Sequence, residues 1–524
     1  MRIPTLKTFL DVHTWTGLGS GMALFIAFYA GSLTVFQSEI DVWDHYRSTA
    51  PLHQNYDQAQ QLVDLALAKQ PGSAERLQLY LSTESRPGHY ARWFEEQEDG
   101  SFDRYELRLD DDDALSTISD NAHLAKFLNI LHYSAGLPSP VGRYFLGAVC
   151  IIYGLALLSG VIIFLPNFLR DLFVIRPGTN KKRFWLDTHN VVGMLSLPWH
   201  IMFAWSGALL ALTFVALAPF QLVYNKDLIA FLGPQLGVVS HLEPINQPGT
   251  LLPVGDLLEL AQQQLPTLEA QRLRYHHIGD ANSTVTVQGI VDSGTLSSFA
   301  SVTLGASSGT IISVMNPATA SMGATFYYGL LTLHYASFGG YINRWLYFVL
   351  GLAGAYLFYS GNLLWIESRR KRRTIKQTKG AQILAKLNSG VCIGCMAGIS
   401  VAFLASRIFA FNPARAVLIE YSYFLVFFLS IAWCFLRPVA VATRDLLYAA
   451  ALASATIALF DILLVNSKML IIDLVALTAA CVFWRMGKAV HRRSIAGPVN
   501  SVWTRRLMPS ATIEPVDQQI QSGD

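Results

Sequence analysis

The chain has 524 residues, of which 52% are hydrophobic and 14% are charged, and its net charge is +3. Soluble domains carry roughly 25% charged residues, so the composition predicts an integral membrane protein and argues against a soluble enzyme. A net charge this small gives no sign of a nucleic-acid partner, and the placement of the charges is more informative.

Eight apolar runs come close to the roughly 20 residues that a helix needs to cross a bilayer. They cover residues 15–36, 141–165, 190–214, 343–366, 391–409, 417–436, 446–465 and 468–485. The first run is longer than the apolar part of a signal peptide and is followed by a poor cleavage site, so we expect a retained helix.

Lysine and arginine predict the orientation. They cluster before the first run, between the second and third, after the fourth, between the sixth and seventh, and after the eighth. If eight helices alternate, all these clusters share one side, which the positive-inside rule makes cytoplasmic. Both termini are then cytoplasmic, and residues 37–127 and 217–325 face outward. The basic run at 369–373 could instead contact anionic lipid or nucleic acid, but we interpret it as a topology signal and predict membrane lipids, not nucleic acid, as its surroundings.

The two outward segments have the same predicted content. Each contains one amphipathic helix followed by strand-like runs, which predicts two small α+β modules. The chain accordingly divides into a first helix (1–36), module 1 (37–127), two helices (128–216), module 2 (217–325), a fourth helix (326–373), a four-helix unit (374–490) and a cytoplasmic tail (491–524). All five cysteines fall in predicted membrane helices, and we interpret "CIGC" at 392–395 as packing.

The first half of the chain contains an internal repeat. "HTWTGLGSGMALFIAFYAGSL" from His13 aligns with "HNVVGMLSLPWHIMFAWSGAL" from His189, with one shift for the shared glycines. Each copy is followed by an outer module, by Leu-His-Tyr containing His132 or His334, and by a second helix. The predicted core is therefore a duplicated His–helix–module–LHY–helix unit, and the last four helices lie outside it.

The repeat places one pair of histidines near each membrane face. A b-type haem takes one imidazole on each side of its ring, so we predict two b-type haems, an inner one on His13/His189 and an outer one on His132/His334. Glycines would let the macrocycle approach the helices: Gly17, Gly19, Gly21, Gly31, Gly193 and Gly207. The alternative is that the histidines are hydrogen-bonded packing residues.

His200 breaks the symmetry of the repeat. In a straight helix it returns to the face of His189 within roughly 20° and lies about 16 Å deeper. Three roles stay open for His200. It could be an axial ligand of the outer haem, a hydrogen-bond donor or relay between the two sites, or a residue without a role in haem binding. Arg143 and Arg344 each follow a Leu-His-Tyr motif and could bind haem propionates or simply anchor the helices at the interface.

"HTWTGLGSGMALFIAFYAGSLTVFQSEID", "DTHNVVGMLSLPWHIMFAWSGAL" and the LHY–helix segments resemble the PepSY-associated transmembrane-helix family over about residues 5–373. The resemblance implies a Gram-negative inner membrane, PepSY-like periplasmic modules at 37–127 and 217–325, and histidines that ligate haem. Some members look like dihaem reductases that release iron from ferric siderophores, so we expect a haem-dependent oxidoreductase.

No flavin or nicotinamide fingerprint is visible, so the electrons would come from quinol or from a separate cytoplasmic donor. The sequence gives no residue for the catalytic step itself. Two other interpretations stay open, namely a siderophore or small-solute permease without redox chemistry, and a PepSY-type interaction or inhibitor protein of the periplasm.

Overall fold

The structure is a computed structural model, and most of the chain is described. The described residues are 3–44, 56–83, 88–96, 102–109, 115–117, 123–176, 178, 180–223, 233, 242–370, 377–410, 412–465, 470–498 and 500–504. Part of the basic run (371–373) and the tail beyond residue 504 lie outside them.

Helices make up most of the described chain. They are α1 (Ile3–Thr34), α2 (Gln37–Asp44), α3 (Tyr56–Lys69), α4 (His123–Ser134), α5 (Val141–Phe164), α6 (Lys181–Leu195), α7 (Leu197–Val223), α8 (Val254–Gln264), α9 (Met322–Tyr335), α10 (Gly340–Ser368), α11 (Lys379–Asn388), α12 (Gly394–Ile408), α13 (Arg415–Leu436), α14 (Val439–Phe460) and α15 (Leu470–Ala496). Eight helical stretches among them are long and apolar enough to cross a membrane. The chain is thus a multi-pass membrane protein.

The eight spans overlap the eight predicted runs, and three of those runs contain an irregularity. The fifth span contains a π-helical turn at Ser389–Ile393, between α11 and α12. The seventh run ends in a π-helical turn at Asp461–Val465. The third span begins at Leu197, so the predicted run 190–214 is interrupted at Ser196, between α6 and α7, where Pro198 follows. The angle and the distance between His189 and His200 that were calculated for one straight helix therefore do not apply.

Four of the spans form the N-terminal bundle. The helix α1 packs against α5 and α10, α5 packs against α7, and α10 packs against α6. Small residues bring these helices together, as membrane helices require. A Cβ on Gly351 of α10, for example, would lie 2.8 Å from the Cβ of Ser32 on α1.

The C-terminal unit is joined to this bundle by one continuous apolar core. That core includes Phe25 of α1, Leu128 of α4, Cys392 and Tyr423. Cys392 and Cys395 are completely buried in it, and the Cys392 thiol lies 3.6 Å from the Asn388 amide oxygen. These surroundings support the packing interpretation of "CIGC".

The strands of both outer segments form one antiparallel sheet. They are β1 (Gln78–Tyr80), β2 (Tyr90–Glu96), β3 (Phe102–Leu109), β4 (Leu115–Thr117), β5 (Glu269–His276), β6 (Thr284–Ile290), β7 (Phe299–Gly305) and β8 (Ile311–Met315). Their order is β4-β3-β2-β1-β5-β6-β7-β8, with Leu79 of β1 opposite Leu273 of β5. The predicted amphipathic helices correspond to α3 and α8, and the predicted strand-like runs correspond to every strand except β4. The joining of the two segments through β1 and β5 was not predicted.

The sheet has one apolar and one polar face because side chains alternate along each strand. The helices α3 and α8 cover the apolar face, where Leu79, Leu273 and Val302 are completely buried. On the polar face, Glu106 of β3 accepts hydrogen bonds from Arg92 at 2.6 Å and Arg108 at 2.8 Å.

Glu106 is expected to make the stability of the sheet depend on acid pH. Burial by itself raises the pKa of Glu106, but Arg108 and Arg92 together lower that pKa below its usual value. The carboxylate therefore stabilises the fold fully above its unfolded pKa of about 4.3, and this contribution is lost as the pH falls through the lower folded pKa. Glu106→Gln should lower the melting temperature at neutral pH and flatten its dependence on acid pH. An unchanged acid profile in thermal unfolding would contradict this assignment.

Candidate functional site: two histidine pairs

The inner pair brings together His13 of α1 and His189 of α6. Their ring centroids lie 6.2 Å apart with the planes at 79°. Nδ1 of His13 lies 2.8 Å from the carbonyl oxygen of Ala156, which can only accept, so this nitrogen carries the proton. Nδ1 of His189 lies 3.4 Å from the Ser360 hydroxyl. In both rings Nε2 is left as the nitrogen available to a ligand.

The outer pair brings together His132 of α4 and His334 of α9. Their ring centroids lie 5.9 Å apart with the planes at 40°. Nδ1 of His132 lies 2.9 Å from the carbonyl oxygen of Ala27, and Nδ1 of His334 lies 2.7 Å from the Ser206 hydroxyl. The sequence therefore paired the four histidines as the structure does.

The helices α4 and α9 end just after their histidines in the same way. Ala135 follows α4 with φ 53° and Ala336 follows α9 with φ 52°. Both residues adopt the left-handed conformation that closes a helix. Gly136 and Pro138 follow the first Leu-His-Tyr and Gly339 follows the second, and each helix ends within one turn of its imidazole.

The outer imidazoles are neutral in their surroundings. Burial lowers the pKa of His132, although the hydrogen bond to Ala27 opposes this. Burial and then the neighbouring His132 lower the pKa of His334 to about 3. Neutral imidazole is the form that donates to a metal.

The spacing of both pairs fits two imidazoles that share one metal ion. A metal–imidazole bond of about 2.0 Å, plus about 1.1 Å from nitrogen to ring centre, places two opposed centroids roughly 6 Å apart. Within the described residues no group of three or more His, Cys, Asp or Glu could hold a metal. A tetrapyrrole supplies its own equatorial nitrogens, so two histidines are the donor set that a haem needs.

Three glycines lie directly against the paired histidines, and of these the sequence singled out only Gly31. A Cβ on Gly31 would lie 2.5 Å from Nδ1 of His132, and one on Gly160 would lie 2.9 Å from Cε1 of His13. Gly361 is similarly close to His189, at 3.2 Å. These residues let the imidazoles lie against the neighbouring helix. The other predicted glycines border Asn362 (Gly21), Leu357 (Gly193), Cys150 (Gly207) or open space (Gly17 and Gly19).

His200 lies in an aromatic cluster of the N-terminal bundle and is 1% exposed. Its Nδ1 lies 2.5 Å from the Tyr153 hydroxyl, whereas its Nε2 is buried without a hydrogen-bond partner among the described residues. Phe28 packs against His200 at 5.8 Å and against Phe203, which contacts His334 at 6.0 Å. His200 is therefore separated from the outer pair by aromatic rings.

The two arginines have different surroundings. Arg344 forms a two-pronged ion pair with Glu39 and also donates to the carbonyl of Val35, which supports the anchoring interpretation for this residue. Arg143 lies over the Tyr133 ring at 5.5 Å and makes no ion pair with a described residue. Of the two, Arg143 has the guanidinium available for an anionic group beside the outer pair.

The hydrogen-bond partners of the histidines were missed from the sequence, although part of the signal was present. Ser159–Gly160 and Ser360–Gly361 follow Arg143 and Arg344 at the same offset, so the repeat could have revealed both glycines and Ser360. The carbonyls of Ala27 and Ala156 leave no trace in a sequence because every residue has one. Tyr153 was not singled out either.

Comparison with known proteins found one matching family model and a similar bacterial protein. A family model described as the PepSY-associated TM region matches residues 10–368. An uncharacterized protein of Pseudomonas aeruginosa is 24% identical over 290 residues, which cover 53% of this chain and 71% of the relative. The family match contains all four paired histidines and His200.

Proposed function

The chain belongs to the family of PepSY-associated transmembrane proteins, and from that premise we propose that it is a haem-dependent reductase. It would carry two b-type haems in a bacterial inner membrane and pass electrons outward to a ferric siderophore. The substrate would lose iron in the periplasm as Fe(II).

The proposal rests on two histidine pairs that lie at different levels of one helical bundle. His13 lies near the start of α1, and Ala27, the partner of His132, lies near its end. At 1.5 Å per residue these levels are about 21 Å apart. Buried imidazoles in a membrane need a function or a partner. A haem between the two rings of each pair would give them both, and the distances between the ring centroids fit that arrangement.

The protein's own residues would hold and orient each haem. His13 with His189 would hold one haem, and His132 with His334 the other. Ala156, Ser360, Ala27 and Ser206 lie within hydrogen-bond distance of the Nδ1 of these histidines. Such hydrogen bonds fix the tautomer and raise the basicity of the ligand. When bound, the haems supply one-electron redox chemistry whose potential depends on these ligands and on burial.

The chemistry of iron accounts for the release step. Oxygen donors bind hard Fe(III) strongly and the softer Fe(II) weakly, so one electron weakens the complex. The donor would be quinol or a separate cytoplasmic protein. The lysine and arginine distribution supports cytoplasmic termini, and with that orientation the outer pair and the sheet would lie on the periplasmic side.

A duplication would account for the arrangement. The sheet order is the same when counted outward from its centre, with β1–β4 on one side and β5–β8 on the other. Each half of the sequence supplies one helix to the apolar face, one LHY helix and two membrane spans. We infer that the two PepSY-like halves face each other across β1 and β5.

A visible spectrum of the detergent-purified protein, before and after dithionite, tests the proposal. We expect a Soret band that shifts on reduction, reoxidation of the reduced protein by a ferric chelate, and Fe(II) captured by a ferrous-specific chelator. Folded, haem-supplemented protein without a Soret band would refute the reductase and favour the permease or interaction alternatives.

His200 distinguishes two arrangements of the outer haem. Because His132 and His334 already lie opposite each other, His200→Ala is expected to keep both haems, whereas His334→Ala should lose one. Haem content per protein, measured as the pyridine haemochrome, checks this. Loss of a haem in His200→Ala with retention in His334→Ala would make His200 the ligand.

A further inference from the structure

The polar face of the sheet carries two ordered rows of side chains. Strand pairing aligns one row across the sheet as Arg108, Tyr90, Tyr80, Arg272, Gln288 and Ser301. The same pairing aligns a second row as Glu106, Arg92, Gln78, Arg274, Thr286 and Thr303. Residues from both outer segments meet in each row, so the surface exists only because β1 pairs with β5.

This face has an excess of positive charge. Glu106 is shared between Arg92 and Arg108, and no second carboxylate lies in the two rows. Arg272 donates to the Gln288 amide oxygen and to the Tyr80 hydroxyl. Arg274 is half-buried and makes no hydrogen bond to a described residue. Hydrogen bonds to the described residues therefore use none of its guanidinium donors.

Tyrosines lie flat among these guanidinium groups. Tyr80 and Tyr90 stack with centroids 4.4 Å apart and planes at 6°. Arg92 lies over both rings at 5.4 Å and Arg272 lies over Tyr80 at 5.5 Å. Tyr90 is only 2% exposed and is covered by Arg108 at 4.1 Å, so it supports the half-buried Tyr80 and does not itself contact a ligand. Tyr80 and the guanidinium groups around it suit a ligand that is both aromatic and anionic.

The same face of the sheet is next to the outer histidine pair. Phe299 alternates with Ser301 and Thr303, so it belongs to the polar face. It stacks on Tyr328 of α9 at 4.6 Å. His334 follows six residues later on that helix, about 9 Å along its axis. A ligand bound to the polar face would thus lie on the same side of the sheet as the outer histidine pair.

We propose that this guanidinium–tyrosine face, formed by Tyr80, Tyr90, Arg92, Arg108, Arg272 and Arg274, binds a negatively charged iron chelate with catecholate or phenolate donors. Charge complementarity and aromatic stacking select that class over uncharged hydroxamate chelates. The identification of the ligand as an iron complex rests on the proposed reductase function.

Gallium(III) chelates test this binding without electron transfer, because Ga(III) has the coordination chemistry of Fe(III) but is not reduced. Titration calorimetry on the haem-loaded protein in zwitterionic nanodiscs would compare an anionic tris-catecholate with an uncharged tris-hydroxamate. We expect the anionic complex to bind at least about tenfold more tightly and to weaken with added salt.

Arg274→Gln is the decisive variant because it leaves the hydrogen bonds among described residues intact. It should weaken the tris-catecholate by about tenfold, and Arg272→Gln should do the same. Lys69→Gln, which removes an exposed charge from α3 on the other side of the sheet, is the matched control and should leave affinity unchanged.

Equal affinities for the two chelates, or tris-catecholate binding unaffected by Arg274→Gln, would overturn the proposal while leaving the haem spectrum, and with it the reductase, standing. A further comparison uses phosphatidylglycerol nanodiscs at the same ionic strength. If the chelate no longer binds there, and the loss depends on Arg272 and Arg274, the face binds lipid phosphate instead. Absence of haem with intact chelate binding would reject the reductase alone.

Discussion

If each pair holds one haem, as we propose, replacing His13 with alanine is expected to remove about half of the bound haem, and His132→Ala about the other half. Either change takes one of the two axial donors from a single site and leaves the other pair intact. The measurement is haem per protein together with the reduced-minus-oxidised spectrum. His491→Ala, an exposed histidine at the end of α15, is the control and should keep both haems. Full haem content in both His13→Ala and His132→Ala would disprove the pairing.

A pair of glycine variants sharpens this result without removing any ligand. A Cβ on Gly31 would lie 2.5 Å from Nδ1 of His132, whereas one on Gly154 of α5 would meet no atom within 4 Å. Gly31→Ala should therefore disturb the outer haem alone, seen as a lost or shifted spectral component and a changed midpoint potential. Gly154→Ala should leave both haems unchanged.

The repeat allowed the histidine pairs to be predicted, since one sequence shift matched His13 to His189 and another matched His132 to His334. Hydropathy gave the eight spans, and alternation gave most strands of the sheet. These signals are local or periodic, so they survive without knowledge of tertiary contacts. Such patterns define elements and their faces, but not their partners.

What the sequence could not predict depends on contacts between distant segments. The pairing of Leu79 with Leu273 joins strands nearly two hundred residues apart, and either half could have formed a separate module. The roles of Gly31 and Gly160 required knowledge of which imidazole lies across from each helix. The interruption at Ser196 was hidden because Pro198 is tolerated in the first turn of a helix.

The attachment of the C-terminal unit was equally hidden, because it depends on charges from distant parts of the chain. Arg407 of α12 forms an ion pair with Asp461 at 2.8 Å, and the two side chains are 1% and 0% exposed. The Trp43 indole donates to the same carboxylate at 2.5 Å and lies 3.6 Å beneath the Arg407 guanidinium. Arg415 binds Asp44 in the same region. These contacts fasten α2, which follows α1 directly, to the C-terminal helices.

Asp461→Asn should therefore destabilise the protein by about 3–5 kcal/mol, because it removes the carboxylate that forms the ion pair with the buried Arg407. Asp445→Asn removes one partner of the pair Arg444–Asp445 at 2.6 Å, whose side chains are 29% and 31% exposed, and should cost no more than about 1 kcal/mol. Thermal unfolding in detergent, followed by tryptophan fluorescence, compares the two. Because Trp43 donates to Asp461 and Trp433 donates to Asp445 at 3.4 Å, the emission can change in both variants, and the melting temperatures are the quantity to compare.

The double variant Arg407→Met/Asp461→Leu separates loss of a charge partner from loss of packing. If the cost of Asp461→Asn comes from a stranded guanidinium, removing both charges should recover much of the lost stability. If the double variant is as unstable as the single one, the attachment depends on the hydrogen bond to Trp43 and on shape. Haem content should be unchanged in either case, because the histidine pairs belong to the N-terminal bundle; loss of haem would show that the C-terminal unit supports the haem sites through α2.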